Sequence, residues 1–209
     1  MGEQTLFLKV CFLFFDWIIY KNGIVIFFIH ILKYKVILEG MLEDNFKEYI
    51  DKLKSELSVD RDIVFLCIGT DRVIGDCLGP ITGSLLKNLY NKENIYGDLD
   101  ENLTFENIEE RVNEIYVRYP NPYIVAIDAA LSSESNIGKF FVDSGGINFG
   151  EGLDKHRGRI GDLGIKVVVG KDYNNNEMNF EVLQNTRLSE IIKLSKKTVD
   201  GINLVLEKI

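Results

Sequence analysis

Two stretches constrain this chain more than any others: DIVFLCIG (62–69) and YIVAIDAAL (123–131). Each is a nearly unbroken apolar run rich in β-branched residues. Strands that read this way are buried on both faces, as in parallel sheets covered by helices. GIKVVVG (164–170) reads as a further strand, and KFFVDSGGINFGEG (139–152) as a strand running into a glycine-rich loop. Helical patterns lie between them. Phe46, Ile50, Leu53 and Leu57 recur at three- and four-residue steps over 44–57. GPITGSLLKNLY (79–90) predicts a helix with Pro80 in its first turn, where a missing N–H is tolerated. ENIYGDLDENLT (93–104) holds a short strand and a turn. ENIEERVNEIYVRY (106–119) puts Ile108, Val112, Ile115 and Tyr116 on one helical face. From about residue 180 to 209, Leu188, Ile191, Ile192, Val199, Ile202 and Leu206 form a helical stripe. Strands alternating with helices predict one α/β domain over 42–209, with helices on both faces of a mostly parallel sheet.

Residues 1–41 differ from this domain. They are dense in Phe, Ile and Leu, yet Lys9 and Asp16 interrupt the first apolar run and Lys21-Asn22-Gly23 divides it from the second. A membrane-spanning helix needs about 20 mostly apolar residues. Three readings stand: a β-hairpin turning at Lys21-Asn22-Gly23, an interfacial membrane segment, or translation from a start placed ahead of Met41. Membrane contact is expected only through 1–40.

The formal charge of −8 over 209 residues argues against a large nucleic-acid surface. Cys11, Cys67 and Cys77 are odd in number and lack metal-type spacing, which points to a reducing compartment without a disulfide framework.

The chemistry is expected beyond the carboxyl ends of the strands, where open α/β sheets bind ligands. The first apolar run leads into CIGTDRVIGDCLGP (67–80), and the second ends at Asp128. The glycine spacing 69, 75, 79, with no lysine after it, matches neither a dinucleotide fingerprint nor a Walker loop. Two aspartates, Asp76 and Asp128, then face one cleft if the strands are neighbours. Such a pair can activate water and protonate a leaving group. It can equally hold a divalent metal through oxygen, with Asp162 of RIGDLG as a third ligand. Gly69, Thr70, Asp71 and Arg72 are the expected substrate-binding residues, Thr70 and the nearby amides facing the substrate or its oxyanion. Asp71 or Asp162 would tune the pair. The plain structural readings remain beside these: Asp76 as a helix N-cap, Asp128 as a turn residue, Cys77 as buried filler, and His30, His156, Arg72 and Arg159 as incidental or solvated.

The blocks FLCIGTDRVIGDCLGP, NIYGDLDENL, PYIVAIDAAL, IGDLGIKVVVG and LQNTRLSEIIKLS occur in an order that resembles the YyaC-type sporulation proteins. The resemblance spans about residues 60–203. That family looks related to the spore germination protease and to the hydrogenase maturation endopeptidases. It implies a three-layer α/β/α sandwich of phosphorylase/hydrolase-like type. It implies a germination-protease-like pair of catalytic aspartates, which falls on Asp76 in GDCLGP and Asp128 in AIDAA. The hydrogenase endopeptidases also use a histidine to recognise nickel in their immature partner. That histidine has no firm counterpart here, His156 lying in a loop of comparable position. The implied role is an aspartate-dependent peptidase acting on a protein or peptide in the spore. The implied location is the cytoplasm of the forespore or mother cell. The alternatives are a non-catalytic protein-binding module on the same fold, or a metal-dependent hydrolase.

Overall fold

The computed structural model describes residues 44–57, 60–90, 92–148 and 158–206; the expectations for residues 1–41 and for His156 lie outside them. Along the chain run α1 (Asp44–Glu56), β1 (Ile63–Cys67), a 3-10 turn (Ile74–Cys77), α2 (Leu78–Leu86), β2 (Ile95–Tyr96), α3 (Ile108–Arg118), β3 (Tyr123–Ser132), β4 (Phe140–Ser144), β5 (Ile147–Asn148), β6 (Arg159–Ile160), β7 (Leu163–Lys171), α4 (Asn176–Asn185) and α5 (Leu188–Leu206). The main sheet has the order β2-β1-β3-β7-β4. Its first four strands are parallel, and β4 joins the edge antiparallel to β7. β5 and β6 form a separate two-stranded ribbon.

Helices cover both faces, giving the expected three layers. On one face α1 meets β4 and α5, while α2 lies on β1 and β3. Tyr49 of α1 stacks on Phe140 of β4, and Phe46 meets the same ring edge-to-face. The Asn45 side-chain amide accepts from the Phe140 N–H at 2.7 Å and donates to the Phe140 carbonyl at 3.2 Å. That pair of bonds satisfies the outward peptide groups of an edge strand, which otherwise invite pairing with another chain. On the other face α3 sets Ile108 and Ile115 against Val64, Leu66, Ile124 and Ala126. No helix among the described residues is long and apolar enough to cross a membrane.

Two local expectations change. The segment expected to be helical from about residue 180 onward falls in two helices, because Thr186 is extended at φ −62° and ψ 143° and ends α4; the whole predicted stripe lies on α5. Ile191, Val199 and Ile202 are buried as expected, whereas Leu188 and Ile192 face outward. On α3, Tyr116 is exposed beside the buried Ile115.

Candidate active site

β1 ends level with the middle of β3, since Cys67 is the register partner of Ile127. Asp128 therefore stands just past the end of the neighbouring strand, where the chain of β1 turns away. Side chains alternate along a strand, so Asp128 shares the face of Ile124 and Ala126, the face that α3 covers further down.

The loop after β1 brings Asp76 back to this point. Gly69 has a φ of +139°, and a Cβ there would stand 2.1 Å from the Asp76 carbonyl oxygen. Only glycine allows that backbone conformation with so close an approach. The Thr70 N–H then donates to Asp76 Oδ2 at 3.0 Å. Gly75 is equally confined: a Cβ would meet Leu183 of α4 at 2.8–2.9 Å, so α4 closes on the turn that carries Asp76. The cap reading of Asp76 does not hold. Neither the 3-10 turn nor α2 has a side-chain cap bond, and the Asp76 carboxylate reaches upstream instead.

Both carboxyls are strained electrically. Asp128 keeps a fraction of its surface accessible while its carboxyl is crowded by protein atoms. The carboxyl is therefore largely withdrawn from solvent while the rest of the residue stays half-buried. Burial first, and the Asp76 charge second, push the Asp128 carboxyl up to about 8, against the pull of the Ala129 N–H and the Lys166 ammonium. Asp76 is also raised by burial, and the Thr70 N–H counters that by stabilising its charged form. Two carboxyls that feel each other cannot both ionise cheaply. The pair thus favours holding a single proton, and the stronger push on Asp128, together with the Thr70 N–H on Asp76, directs it to Asp128.

The remaining predicted residues separate into groups. Asp71 and Arg72 are exposed beside the pair. The amides of the loop are all engaged: Gly69 N–H with the Leu103 carbonyl (2.9 Å), Thr70 with Asp76, Asp71 with Asn102 Oδ1 (3.0 Å), and Arg72 with Thr70 Oγ1 (3.3 Å). The expected oxyanion amides are therefore not free. Asp162 is not part of the cluster. It accepts from the Ile124 N–H at 2.8 Å and pairs with Arg61 at 3.2 Å. It thus lies at the amino end of β3, four strand positions from Asp128, or about 13 Å along the strand. Arg159 directs its guanidinium to the carbonyls of Gly145 and Gly146, both at 2.8 Å. Cys77 is buried, and burial followed by the Asp71 and Asp76 charges pushes its thiol up, the opposite of what a nucleophilic thiolate needs.

A resident divalent metal does not fit these residues. Its expected third ligand, Asp162, is at the other end of the sheet, and no cluster of three His, Cys, Asp or Glu suited to a metal occurs among the described residues.

Two residues of the candidate site escaped the sequence reading. Asn102 accepts from both the Asp71 N–H and Thr70 Oγ1, and its own amide donates to the Asp98 carbonyl at 2.8 Å. Asp98 in turn accepts from the N–H groups of Asp100 and Glu101 and pairs with Lys87. The turn GDLDEN thereby braces the loop after β1; its Asp-x-Asp-x-Asn pattern is the available signal. Lys166 is the register partner of Asp128, a cation in the middle of a strand whose only other charged residue, Lys171, is its last.

Residues 39–201 match the family described as "Protein of unknown function (DUF1256)". The chain belongs to this family. This DUF1256 chain is also 34% identical over 145 residues to the protein YyaC of Bacillus subtilis (strain 168), the match covering 69% of each chain. The YyaC-type resemblance read from the five sequence blocks is thus correct. Among solved structures, a [NiFe] hydrogenase maturation protease, HycI from Thermococcus kodakarensis KOD1, superposes with a TM-score of 0.53 at 18% identity. The match covers 74% of this DUF1256 chain and 98% of HycI. At that identity the likeness is one of fold, and it agrees with the mostly parallel, three-layer architecture.

Proposed function

We propose that this DUF1256 protein is an aspartate-dependent peptidase that acts on a protein substrate during sporulation. The observation that carries the reading is that the loop after β1 brings Asp76 near enough to Asp128, on the neighbouring strand β3, for its charge to help raise the Asp128 carboxyl, while burial raises both. Asp76, ionised, takes a proton from water. The water oxygen bonds to the scissile carbonyl carbon. Asp128 delivers its proton to the amide nitrogen as the C–N bond breaks. The exposed side chains of Asp71 and Arg72, on the same loop as Asp76, receive the polypeptide. The fold shared with a hydrogenase maturation protease supports a peptidase, and the YyaC-type kinship supports the sporulation setting.

The Asp76 bond to the Thr70 N–H also suits a second reading, a protein-binding module in which Asp76 only clamps the loop. One experiment separates them. The purified chain is incubated with a proteome-derived peptide library and with intact proteins from sporulating cells, and new termini are read by mass spectrometry. Peptidase action predicts cleavage that Asp76→Asn and Asp128→Asn each reduce by at least about 100-fold. Cleavage unaltered in both variants, or none by the unmodified chain, would leave the binding module. The sporulation setting predicts that the protein accumulates after the onset of sporulation in its host, as an immunoblot time course would reveal.

A further inference from the structure

A peptidase of this kind must also manage the negative charge that develops on the scissile carbonyl oxygen, and the usual donors are backbone amides. Here the four amides from Gly69 to Arg72 are already engaged. Among the described residues, the cation felt at Asp128 belongs to Lys166. Lys166 is the register partner of Asp128 on the adjacent parallel strand, so both side chains leave the same face of the sheet. Its ammonium is held from the far side by Asp143 of β4, at 3.3 Å. Asp143 pairs in register with Gly164 and so stands diagonally across from Lys166. The three residues form a row, Asp128–Lys166–Asp143, across β3, β7 and β4. Lys166 is 30% exposed, so it is neither sealed in packing nor free in solvent. An ammonium has three donors. Asp143 uses one, and the others can meet an oxygen lying over Asp128.

We propose that Lys166 is the electrophilic residue of this site, receiving the oxyanion of the tetrahedral intermediate while Asp143 holds it in place. In the reaction, the carbonyl π electrons move to oxygen as water adds and return as the C–N bond breaks. Lys166 keeps its proton throughout. This role rests on the peptidase reading. It extends that reading by requiring a cation, where an aspartate pair alone would suffice for proton transfer. Asp143 is then a positioning residue, acting on substrate only through Lys166.

The test uses the best-cleaved peptide from the library as its probe and compares the unmodified chain with Lys166→Met, Lys166→Arg and Asp143→Asn. Lys166→Met should lower kcat about 100-fold or more while KM stays within about threefold, because the contact strengthens only in the transition state. Lys166→Arg should restore at least a tenth of the unmodified kcat, since it retains the charge, whereas a purely structural role would not follow charge. Asp143→Asn should lower kcat about tenfold at unchanged KM. Circular dichroism and melting curves identify any variant that fails to fold, and Lys166→Gln replaces it. A kcat within threefold of the unmodified chain in folded Lys166→Met or Lys166→Gln overturns the role of Lys166 and leaves the aspartate pair intact. Loss of cleavage in Asp76→Asn alongside that result marks the failure as belonging to Lys166 alone. Absence of cleavage by the unmodified chain overturns the peptidase reading and this role with it.

Discussion

The Asp76 carboxylate accepts the Thr70 N–H from across its own turn, at 3.0 Å. One bond therefore closes the loop and favours the charged form of the residue proposed as the base. The two roles come apart on substitution. Asp76→Asn keeps an acceptor oxygen for Thr70 and should leave stability within about 1 kcal/mol, while cleavage falls at least about 100-fold. Asp76→Ala strands the Thr70 N–H in a partly buried loop and should cost about 1–3 kcal/mol as well. Denaturant unfolding and the peptide assay, run on both variants, read the difference.

The pH dependence follows from the direction of the two shifts. Under the proposed mechanism, cleavage needs Asp76 ionised and Asp128 protonated. Activity should rise through the raised Asp76 titration on the acid side. It should fall as pH passes about 8, where Asp128 loses its proton. A kcat/KM profile measured from pH 4 to 10 checks this, and a descending limb that stays in place in Asp128→Asn would argue against the assignment.

The same shift acts on stability. The folded Asp128 carboxyl holds its proton up to about 8, and the unfolded one releases it near 4. Between those values unfolding releases a proton, so this contribution is full below pH 4 and is lost as pH rises to about 8. Asp128→Asn removes the titration. The variant should gain up to about 4 kcal/mol relative to the unmodified chain on going from pH 5 to pH 8.5, about 1.4 kcal/mol for each pH unit up to 8, measured by urea unfolding at both values.

How much of this was legible follows from what each residue has to do. The strands announce themselves because burial on both faces demands apolar residues, and an aspartate ending such a run, as Asp128 does, is visible by contrast. Asp162 misled because an aspartate before a strand looks much like one after it. In a parallel sheet those positions lie at opposite ends, and Asp162 precedes β7. Lys166 was hidden by its own strand, where one lysine among valines passes for ordinary alternation; its meaning comes from pairing with a residue 38 positions earlier. The α4–α5 break lacked punctuation. Neither Gly nor Pro stands between Asn185 and Leu188, and the turn is made by an extended threonine.

Asp162 should prove structural. It joins Arg61 to the Ile124 N–H at the amino edge of the sheet. Asp162→Ala leaves a partly buried N–H unpaired and a guanidinium without its carboxylate, and should cost about 1–3 kcal/mol. Cleavage per folded molecule should stay within about threefold, because the site is about 13 Å away along the strand. Thermal melts and kcat/KM on the folded fraction test both halves.

Asn102 supplies the last case, a residue that touches neither aspartate yet governs where one of them sits. Its Oδ1 accepts from the Asp71 N–H and from Thr70 Oγ1, while Nδ2 reaches the Asp98 carbonyl. Asn102→Ala removes all three bonds at once. Thr70 is then free to shift, and the Thr70–Asp76 bond shifts with it. Asn102→Asp keeps the acceptor but loses the donor to Asp98 and adds a charge near the pair. The alanine variant should lose about 1–3 kcal/mol of stability and about tenfold in kcat/KM. The aspartate variant should retain the loop geometry, and by adding negative charge should raise the Asp128 titration further, moving the descending limb of the pH profile to higher pH. A limb that moves in Asn102→Asp but not in Asn102→Ala would separate the charge effect from the loss of the brace.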